Sequence, residues 1–492
     1  AFAERMFHAM SNSLSPAAEV RRWLPDVLLV AFAAAMTIFA AQFITSDNFW
    51  LDEFFSIEMV GRSWAEIPAA TAGDVHPPLY YYILKLFVSV LGSAHAVYRI
   101  ASFASYLLTV GMALVFFRPA FGRWAAFFFL CLMAPGTASL RYFTEARMYG
   151  WALFFVLLCG FAAYRLLADA APKRRWWVTL TLAGLCAGYL HYFALLAVCF
   201  VYLALLVYAA WKRRPLLKGW GIAAAVSVVC YLPWAVVAAG HLMQQATGGF
   251  WLQQVPELSE TLEMIVSSQL SGWAALALLG LGCVIYLFWP RDEAPARRWL
   301  TAAGPLAAVG VPAVGYAASA LLRPMYLSRY FFPALGLLWL AMAVAADGLI
   351  RRLPRFGRLA AHILLAALVL YAMYEPAVTR QQELEQTNAV VAQAVGYVED
   401  RIQPGDKVYS CVELVDDRVL EFYFPGSDHA AGSDPAAALP ETGGSLFLIF
   451  PEEDPAGDWA AALEGAGLQP DSWQGALLNN QWCRIYHYVP AA

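Results

Sequence analysis

The chain has 492 residues, 61% of them hydrophobic and 14% charged, with mean hydropathy +0.56 and a net charge of −4. Soluble globular chains are roughly half apolar and about a quarter charged, so this composition excludes an ordinary soluble protein and points to one that crosses a membrane many times. The charge is uneven: residues 379–492 hold 5 Lys and Arg against 18 Asp and Glu, whereas the residues before them hold 27 against 18. A basic membrane part with an acidic soluble tail offers no surface suited to nucleic acid, and no nucleic-acid partner is expected.

About twenty mixed residues precede the first apolar run, and no small-residue cleavage site follows it, so the run reads as a retained span rather than a signal peptide. Apolar stretches close to the roughly 20 residues needed to cross a bilayer lie near 25–44, 98–117, 124–140, 148–168, 176–191, 192–210, 219–240, 272–289, 300–322, 330–350 and 359–375. They predict about 11 transmembrane helices. With the N-terminus inside, the inner connections carry Arg118 and Arg123, then Lys173, Arg174 and Arg175, then Lys212, Arg213, Arg214 and Lys218. Arg291, Arg297 and Arg298 follow, and last Arg351, Arg352, Arg355 and Arg358. With Arg5, Arg21, Arg22 and Arg165 added, this arrangement puts 20 of the membrane part's 27 basic residues inside, as the positive-inside rule favours. The stretch Pro77–Leu91 is apolar but short and holds Lys85. Counting it as a span would turn every later basic cluster outward. It is expected to be a helix on or in the outer leaflet, with Tyr80, Tyr81 and Tyr82 in the aromatic belt, and residues 45–97 become one large outer loop.

The spans are nearly free of charge, which argues against an ion-coupled transporter. Polar residues gather instead at one set of helix ends. The first outer loop holds Asp52, Glu53, Glu58, Arg62, Asp74 and His76, and the second holds Arg141, Glu145, Arg147 and Tyr149. His191 occupies a tight turn, Gln244, Gln245, Trp251 and Gln253 a longer loop, and Arg323, Arg329 and Tyr330 the last loop before the tail. Carboxylates in one loop and arginines in others suit transfer of a group from a phosphate: a base removes a hydroxyl proton, and guanidinium forks hold the departing phosphate. Plainer readings exist for some of these residues. Asp52 suits the N-cap of a helix starting near Glu53, Pro77 and Pro78 suit a helix start, and His191 suits a turn. A flippase or transporter of lipid-linked saccharide, and an O-antigen polymerase or ligase, are the competing functional classes.

"LDEFFS", "DVHPPLYY", "RYFTEARMYG" and "SRYFFP", spread over residues 52–333, resemble motifs of bacterial membrane glycosyltransferases of the GT-C fold. The similarity is to the protein-mannosyltransferase and aminoarabinose-transferase group, glycosyltransferase family 39. The resemblance implies an all-α polytopic GT-C domain over residues 1–378, followed by a small periplasmic α/β domain over 379–492. It implies inverting transfer of a sugar from a polyprenyl-phosphate donor to an acceptor hydroxyl at the periplasmic face of the inner membrane, with membrane lipids around the site. Asp52 maps to the catalytic base, with Glu53 beside it. His76, Lys85, Arg141, Arg147, Arg329 and Tyr330 map to the donor phosphate site, with Glu145 orienting one of the helix-end arginines; Asp74, Tyr149, His191 and Arg323, from the same outer loops, are candidate supporting residues. Tyr80 and Tyr81 replace the Gly-Lys that many protein mannosyltransferases carry after HPPL, and the chain has no room for their large sugar-binding domain. A glycolipid, lipid A or cell-envelope polysaccharide is therefore expected as acceptor rather than a protein. No cofactor is required; a divalent cation beside Asp52 and Glu53 is compatible with the pattern but not implied by it.

In the tail, residues 380–400 read as an amphipathic helix, "GDKVYSCVE", "GSLFLIFP" and "CRIYHYV" as strands, and "DWAAALEGAG" as a short helix. Six of the eight cysteines lie in spans, where Cys packs as a small residue. Cys411 and Cys483 are the tail's only pair, and an oxidising compartment predicts a disulfide between them.

Overall fold

The computed structural model describes residues 16–74, 76–133, 137–247, 257–259, 273–288, 294–441 and 443–491; Trp251 and Gln253 lie outside them. The chain enters through helix α1 (Pro16–Ala41), then forms α2 (Leu51–Gly61), α3 (Ile67–Ala72) and α4 (Leu79–Leu91) before the bundle proper. The bundle comprises α5 (His95–Met112), α6 (Arg123–Met133), α7 (Thr137–Thr144), α8 (Tyr149–Ala168), α9 (Arg174–Leu190) and α10 (Tyr192–Lys212). It continues with α11 (Leu216–Thr247), α12 (Trp273–Phe288), α13 (Pro295–Leu321), α14 (Phe332–Ile350) and α15 (Arg355–Glu399). Every stretch read as a span contains a helix, and eight helices among the described residues are long and apolar enough to cross a membrane. The other three, α6, α9 and α12, have 11, 17 and 16 residues.

Two helices form the centre. In the spans Ser328–Ile350 and Tyr149–Ala168, 89% and 72% of the most apolar window is buried, against 11% for Leu216–His241 and 12% for Arg355–Glu399. Without a hydrophobic force between helices in lipid, close approach depends on small residues. Gly304 on α13 shows this: a Cβ there would lie 2.5 Å from the Leu337 carbonyl oxygen of α14. The far end of α14 is tied by Asp347, which holds Arg351 at 2.7 Å and His362 of α15 at 3.1 Å. The near end, where α8 and α14 begin, carries Arg147 and Arg329.

Helix α4 has 13 residues, about 20 Å at 1.5 Å per residue, against a hydrocarbon core of about 30 Å. Its tyrosines correct the expectation of an aromatic belt. Tyr80 and Tyr81 are wholly buried, and the Tyr80 hydroxyl meets Ser102 Oγ of α5 at 2.8 Å. Tyr82 alone is partly exposed, donating to the Trp64 carbonyl.

Helix α15 runs unbroken for 45 residues from the membrane part into the tail, past Pro376. The tail is a five-stranded sheet in the order β2-β1-β3-β5-β4, with β1 (Lys407–Ser410), β2 (Asp428–Ala431), β3 (Leu446–Phe450), β4 (Leu468–Leu478) and β5 (Gln481–Pro490). Helix α16 (Asp417–Tyr423) is capped by Asp416, which accepts from the Arg418 and Val419 N–H groups. The short helix predicted at "DWAAALEGAG" is α17 (Asp458–Gly465). Strand β4 escaped the sequence reading because Pro470 and Gly475 interrupt its pattern. Pro is tolerated there because β4 is an edge strand, with a register irregularity between Pro470 and Ser472. Asn479 and Asn480, at φ 51° and 58°, make the tight β4–β5 turn in the left-handed region that Asn tolerates.

The predicted disulfide is absent. Cys411 and Cys483 are both free, because Cys411 follows β1 and Cys483 lies on β5, with β3 between them. Two inter-strand spacings amount to about 9.5 Å, and bridged Cα atoms lie within about 7 Å.

Candidate active site

The starts of α2, α8 and α14 converge on a cavity of about 670 Å³. Four arginines (Arg141, Arg147, Arg329 and Arg418) and two aspartates (Asp52 and Asp74) face it, with His76 and Tyr330. Asp52 lies in the first turn of α2, where a carboxylate suits the helix dipole. The N-cap is Trp50, in extended conformation, with no side-chain cap. The capping role read for Asp52 is therefore not used. Its Oδ2 is 3.2 Å from Arg329 Nη1 and 3.7 Å from Arg147 Nη2.

Arg147 sits in the irregular joint between α7 and α8 and is 1% exposed. Its Nη1 donates to the Asp52 carbonyl at 2.9 Å and to Ser56 Oγ at 3.3 Å. Burial presses its pKa down, but the facing charge of Asp52, with Tyr81, Tyr149 and Asp74, outweighs burial and holds it well above the usual value. Its Nη2 lies 3.5 Å from His76 Nε2. A guanidinium cannot accept a hydrogen bond, so this network assigns the His76 proton to Nδ1, which lies 3.2 Å from Asp74 Oδ2. Burial pushes the His76 pKa below its ordinary value and Arg147 adds to this, against the opposing pull of Asp74. The imidazole is thus held neutral between an acid and a base.

Beneath lie packed rings. His191 is 4.9 Å from Tyr330, 5.6 Å from Tyr149 and 5.8 Å from His76, centroid to centroid. The turn reading also holds for His191, since its Nδ1 accepts the Phe193 N–H at the start of α10. Its pKa is driven well below the ordinary value by burial first, then by His76, Arg147 and Arg329.

Three predicted residues are placed elsewhere. Glu53 points away from this cavity: it is wholly buried, with Oε2 3.0 Å from Arg99 and Oε1 accepting the Ala146 N–H at 2.7 Å. Burial raises its pKa to about 7, Glu145 adding and Arg99 opposing. Lys85 ties the end of α2, donating to the Val60 and Arg62 carbonyls at 2.7 and 2.6 Å. Arg323 does not line the cavity. Glu145 pairs with Arg141, as expected of an orienting residue.

Three residues went unread. Arg99, in the second turn of α5, had a signal, being a rare charge at the start of an apolar run. Trp50 precedes the acidic pair, and the Arg141 and Arg329 guanidinium carbons lie 5.4 and 5.2 Å from its ring. Arg418 had no signal at all, because only the fold brings the tail here. It lies 3.2 Å from Glu58 of α2 and 2.5 Å from Asp416. Nearby, Phe422 stacks on His95 at 3.9 Å, the Tyr423 hydroxyl bridges the Phe49 N–H and Asp47 carbonyl, and Asn48 meets Asn480 at 2.6 Å. The first loop is thus clamped between bundle and tail. Among the described residues, no group of three or more His, Cys, Asp or Glu side chains could hold a metal ion.

A multi-span helical bundle, a clamped first loop with its acidic residue, and arginines at helix ends together define a membrane protein of the GT-C fold, as the motifs implied. No protein-family model matches the sequence, and no curated protein matches it. Among solved structures, the chain is similar to ArnT from Cupriavidus metallidurans in the apo state, with 16% identity and TM-score 0.58, covering 96% of this chain and 98% of that one. The same ArnT bound to undecaprenyl phosphate matches with 16% identity and TM-score 0.58 over 94% and 97% of the two chains. The archaeal oligosaccharyltransferase AglB from Archaeoglobus fulgidus, in complex with an inhibitory peptide and a dolichol-phosphate, matches with 14% identity and TM-score 0.41, over 82% and 64%.

Proposed function

We propose that this protein is an inverting glycosyltransferase that moves a sugar from a polyprenyl-phosphate carrier to an acceptor hydroxyl at the periplasmic face of a bacterial inner membrane. The observation that carries the reading is the constellation Arg147–Asp52–Arg329. Two guanidiniums share one carboxylate oxygen, and each keeps a buried Nε–H without an acceptor. Those donors suit the phosphate of a lipid-linked donor, and the likeness to an ArnT solved with undecaprenyl phosphate supports the same class of carrier.

The chemistry follows from the charges. An arriving phosphate competes with Asp52 for both arginines and frees its Oδ2 to receive a proton. The acceptor hydroxyl gives that proton to Asp52 as its oxygen bonds to the sugar's anomeric carbon. The bond from that carbon to the phosphate oxygen breaks, and the polyprenyl phosphate leaves with the electron pair. Arg147 and Arg329 stabilise the growing negative charge. Attack opposite the leaving group inverts the configuration. This scheme needs no metal, since the arginines supply the positive charge. Neutral His76, donating to Asp74 and accepting from Arg147, holds the Arg147 fork in place. A glycolipid or envelope glycan is the proposed acceptor.

The test incubates purified protein with polyprenyl-phosphate sugars and measures release of polyprenyl phosphate. Asp52→Asn is expected to lower turnover by about 100- to 10,000-fold, and equal turnover by the variant sinks the assigned base. No turnover by wild type with any donor favours the flippase reading. The proposed orientation rests on the distribution of basic residues and is checked by labelling. A Cys introduced at exposed Ser93, between α4 and α5, is expected to react with an impermeant maleimide from the periplasmic side; reaction only from the cytoplasmic side reverses the topology.

A further inference from the structure

A second cavity of about 350 Å³ lies beside the first and shares Trp50 and Arg141 with it. Its volume is at the lower end of the roughly 300–1,000 Å³ typical of small-molecule sites. Its walls come from the first loop, the end of α7, the emerging part of α15 and the β4–β5 turn, so the cavity exists only because the tail is docked. Its electrostatics differ from those of the first. Each arginine facing it is matched by a carboxylate that also faces it: Arg99 with Glu53 at 3.0 Å, Arg380 with Glu383 at 2.9 Å, and Arg141 with Glu145. The first cavity presents four arginines to two aspartates and calls for an anion. The second is balanced and does not.

Unsatisfied groups sharpen this contrast. Around the second cavity, Arg99 Nε and Trp50 Nε1 are buried donors without an acceptor, and Glu145 Oε2 and Asn48 Oδ1 are buried acceptors without a donor. Arg99 is 4% and Glu145 6% exposed, so water does not freely satisfy them, and each such group is costly unless a ligand completes it. A ligand that both donates and accepts, carries no net charge and fits this volume is a polyhydroxylated ring. Trp482, on the tail hairpin and 58% exposed, offers the flat apolar face on which the C–H side of such a ring packs.

From this geometry we propose that the second cavity is a glycan subsite that binds an uncharged sugar unit of the acceptor. The proposal rests on the glycosyltransferase reading for its role. The shared wall of Trp50 and Arg141 lets a neighbouring unit of the same glycan extend a hydroxyl toward Asp52. The tail thereby becomes part of the acceptor site through Trp482, Asn480 and the docked hairpin.

The experiment uses the full chain in lipid nanodiscs. Saturation-transfer NMR is recorded with the methyl glycosides of glucose, mannose, galactose and N-acetylglucosamine, with glucose 6-phosphate and glucuronic acid as charged comparators. Affinity for undecaprenyl phosphate is measured on the same samples. At least one neutral glycoside is expected to receive saturation, reduced about fivefold or more in Trp482→Ala and largely restored in Trp482→Phe, which keeps an aromatic face. Trp482 is exposed, so neither variant threatens the fold. The subsite is overturned if no neutral glycoside gives a Trp482-dependent signal, or if the charged comparators bind better. Loss of glycoside binding with undecaprenyl phosphate still bound overturns the subsite alone. Glycoside binding without undecaprenyl phosphate binding upholds the subsite and refutes the donor reading.

Discussion

Glu53 stands next to the proposed base, yet the structure gives it a different task, and removing its partner tests that assignment. In Arg99→Met the carboxylate of Glu53, wholly buried and 3.0 Å from Arg99, loses the cation paired with it. Removing one partner of a buried ion pair typically costs about 3–5 kcal/mol. A loss of about 3 kcal/mol lowers the unfolding midpoint by about 3 °C in a chain of this size. Glu53→Gln keeps the acceptor for the Ala146 N–H but leaves Arg99 unpaired; the double variant Glu53→Gln with Arg99→Met removes both charges and is expected to recover at least half of the loss. The pH dependence carries the same signature. The Glu53 pKa is raised in the folded state to about 7, so between about pH 4.5 and pH 7 the folded chain binds more protons than the unfolded one. Its contribution to stability is therefore full below pH 4.5 and is lost as pH rises through about 7. Intrinsic-fluorescence melts at fixed scan rate across this range read both effects, and Glu53→Gln should flatten that part of the slope. A Glu53→Gln protein that melts like wild type but turns over about 1,000-fold slower would refute the structural role and return Glu53 to the chemistry.

Replacing Arg329 by Ala is expected to weaken polyprenyl-phosphate binding by about 10- to 100-fold, and Arg329→Lys to restore only part of it, since a lysine supplies charge without the planar fork; titration calorimetry in detergent checks both. His76 gives a pH effect of opposite sign to that of Glu53. Its pKa is lowered in the folded state by burial and Arg147, so below about pH 6.5 the unfolded chain takes up a proton that the folded chain refuses. Stability from this site is present above that pH and lost as pH falls. The wild-type melting point should therefore drop relative to His76→Gln between about pH 7.5 and pH 5, and a constant offset across that range contradicts the assignment. Finally, native unreduced protein treated with a thiol reagent after unfolding should carry label on both Cys411 and Cys483, which intact-mass and peptide analysis resolves. A mass lower by two protons with both sites unlabelled would restore the disulfide.

Much of this molecule was readable from residue order because the signals are local. A span announces itself by twenty apolar residues in a row, and the helices of the bundle appear where those rows lie. The length of Pro77–Leu91 and the charge of Lys85 kept α4 apart from the spans. Asp52, His76, Arg141, Arg147, Arg329 and Tyr330 were legible because each sits in a short motif at a helix end. The distinction between Asp52 and Glu53 was not legible. Adjacent residues on a helix point about 100° apart, and only the packed neighbours decide which of the two meets the cavity and which meets Arg99. For the same reason Tyr80 turns inward onto Ser102 of α5 and Tyr81 onto Phe55 of α2, while Tyr82 stays partly exposed. Strand β4 was hidden by a proline that an edge position tolerates, and the disulfide was ruled out by strand order, which no pairing of two cysteines in a sequence reveals. The docking of the tail lies furthest from sequence. Arg418 and Trp482 are more than three hundred residues from Asp52 and Trp50, and their place beside the two cavities follows from long-range contacts between Phe422, Tyr423, Asn480 and the first loop. Local order thus determined the helices and the chemical inventory. Packing alone decided which groups share a cavity, because burial and pairing are properties of neighbours in space.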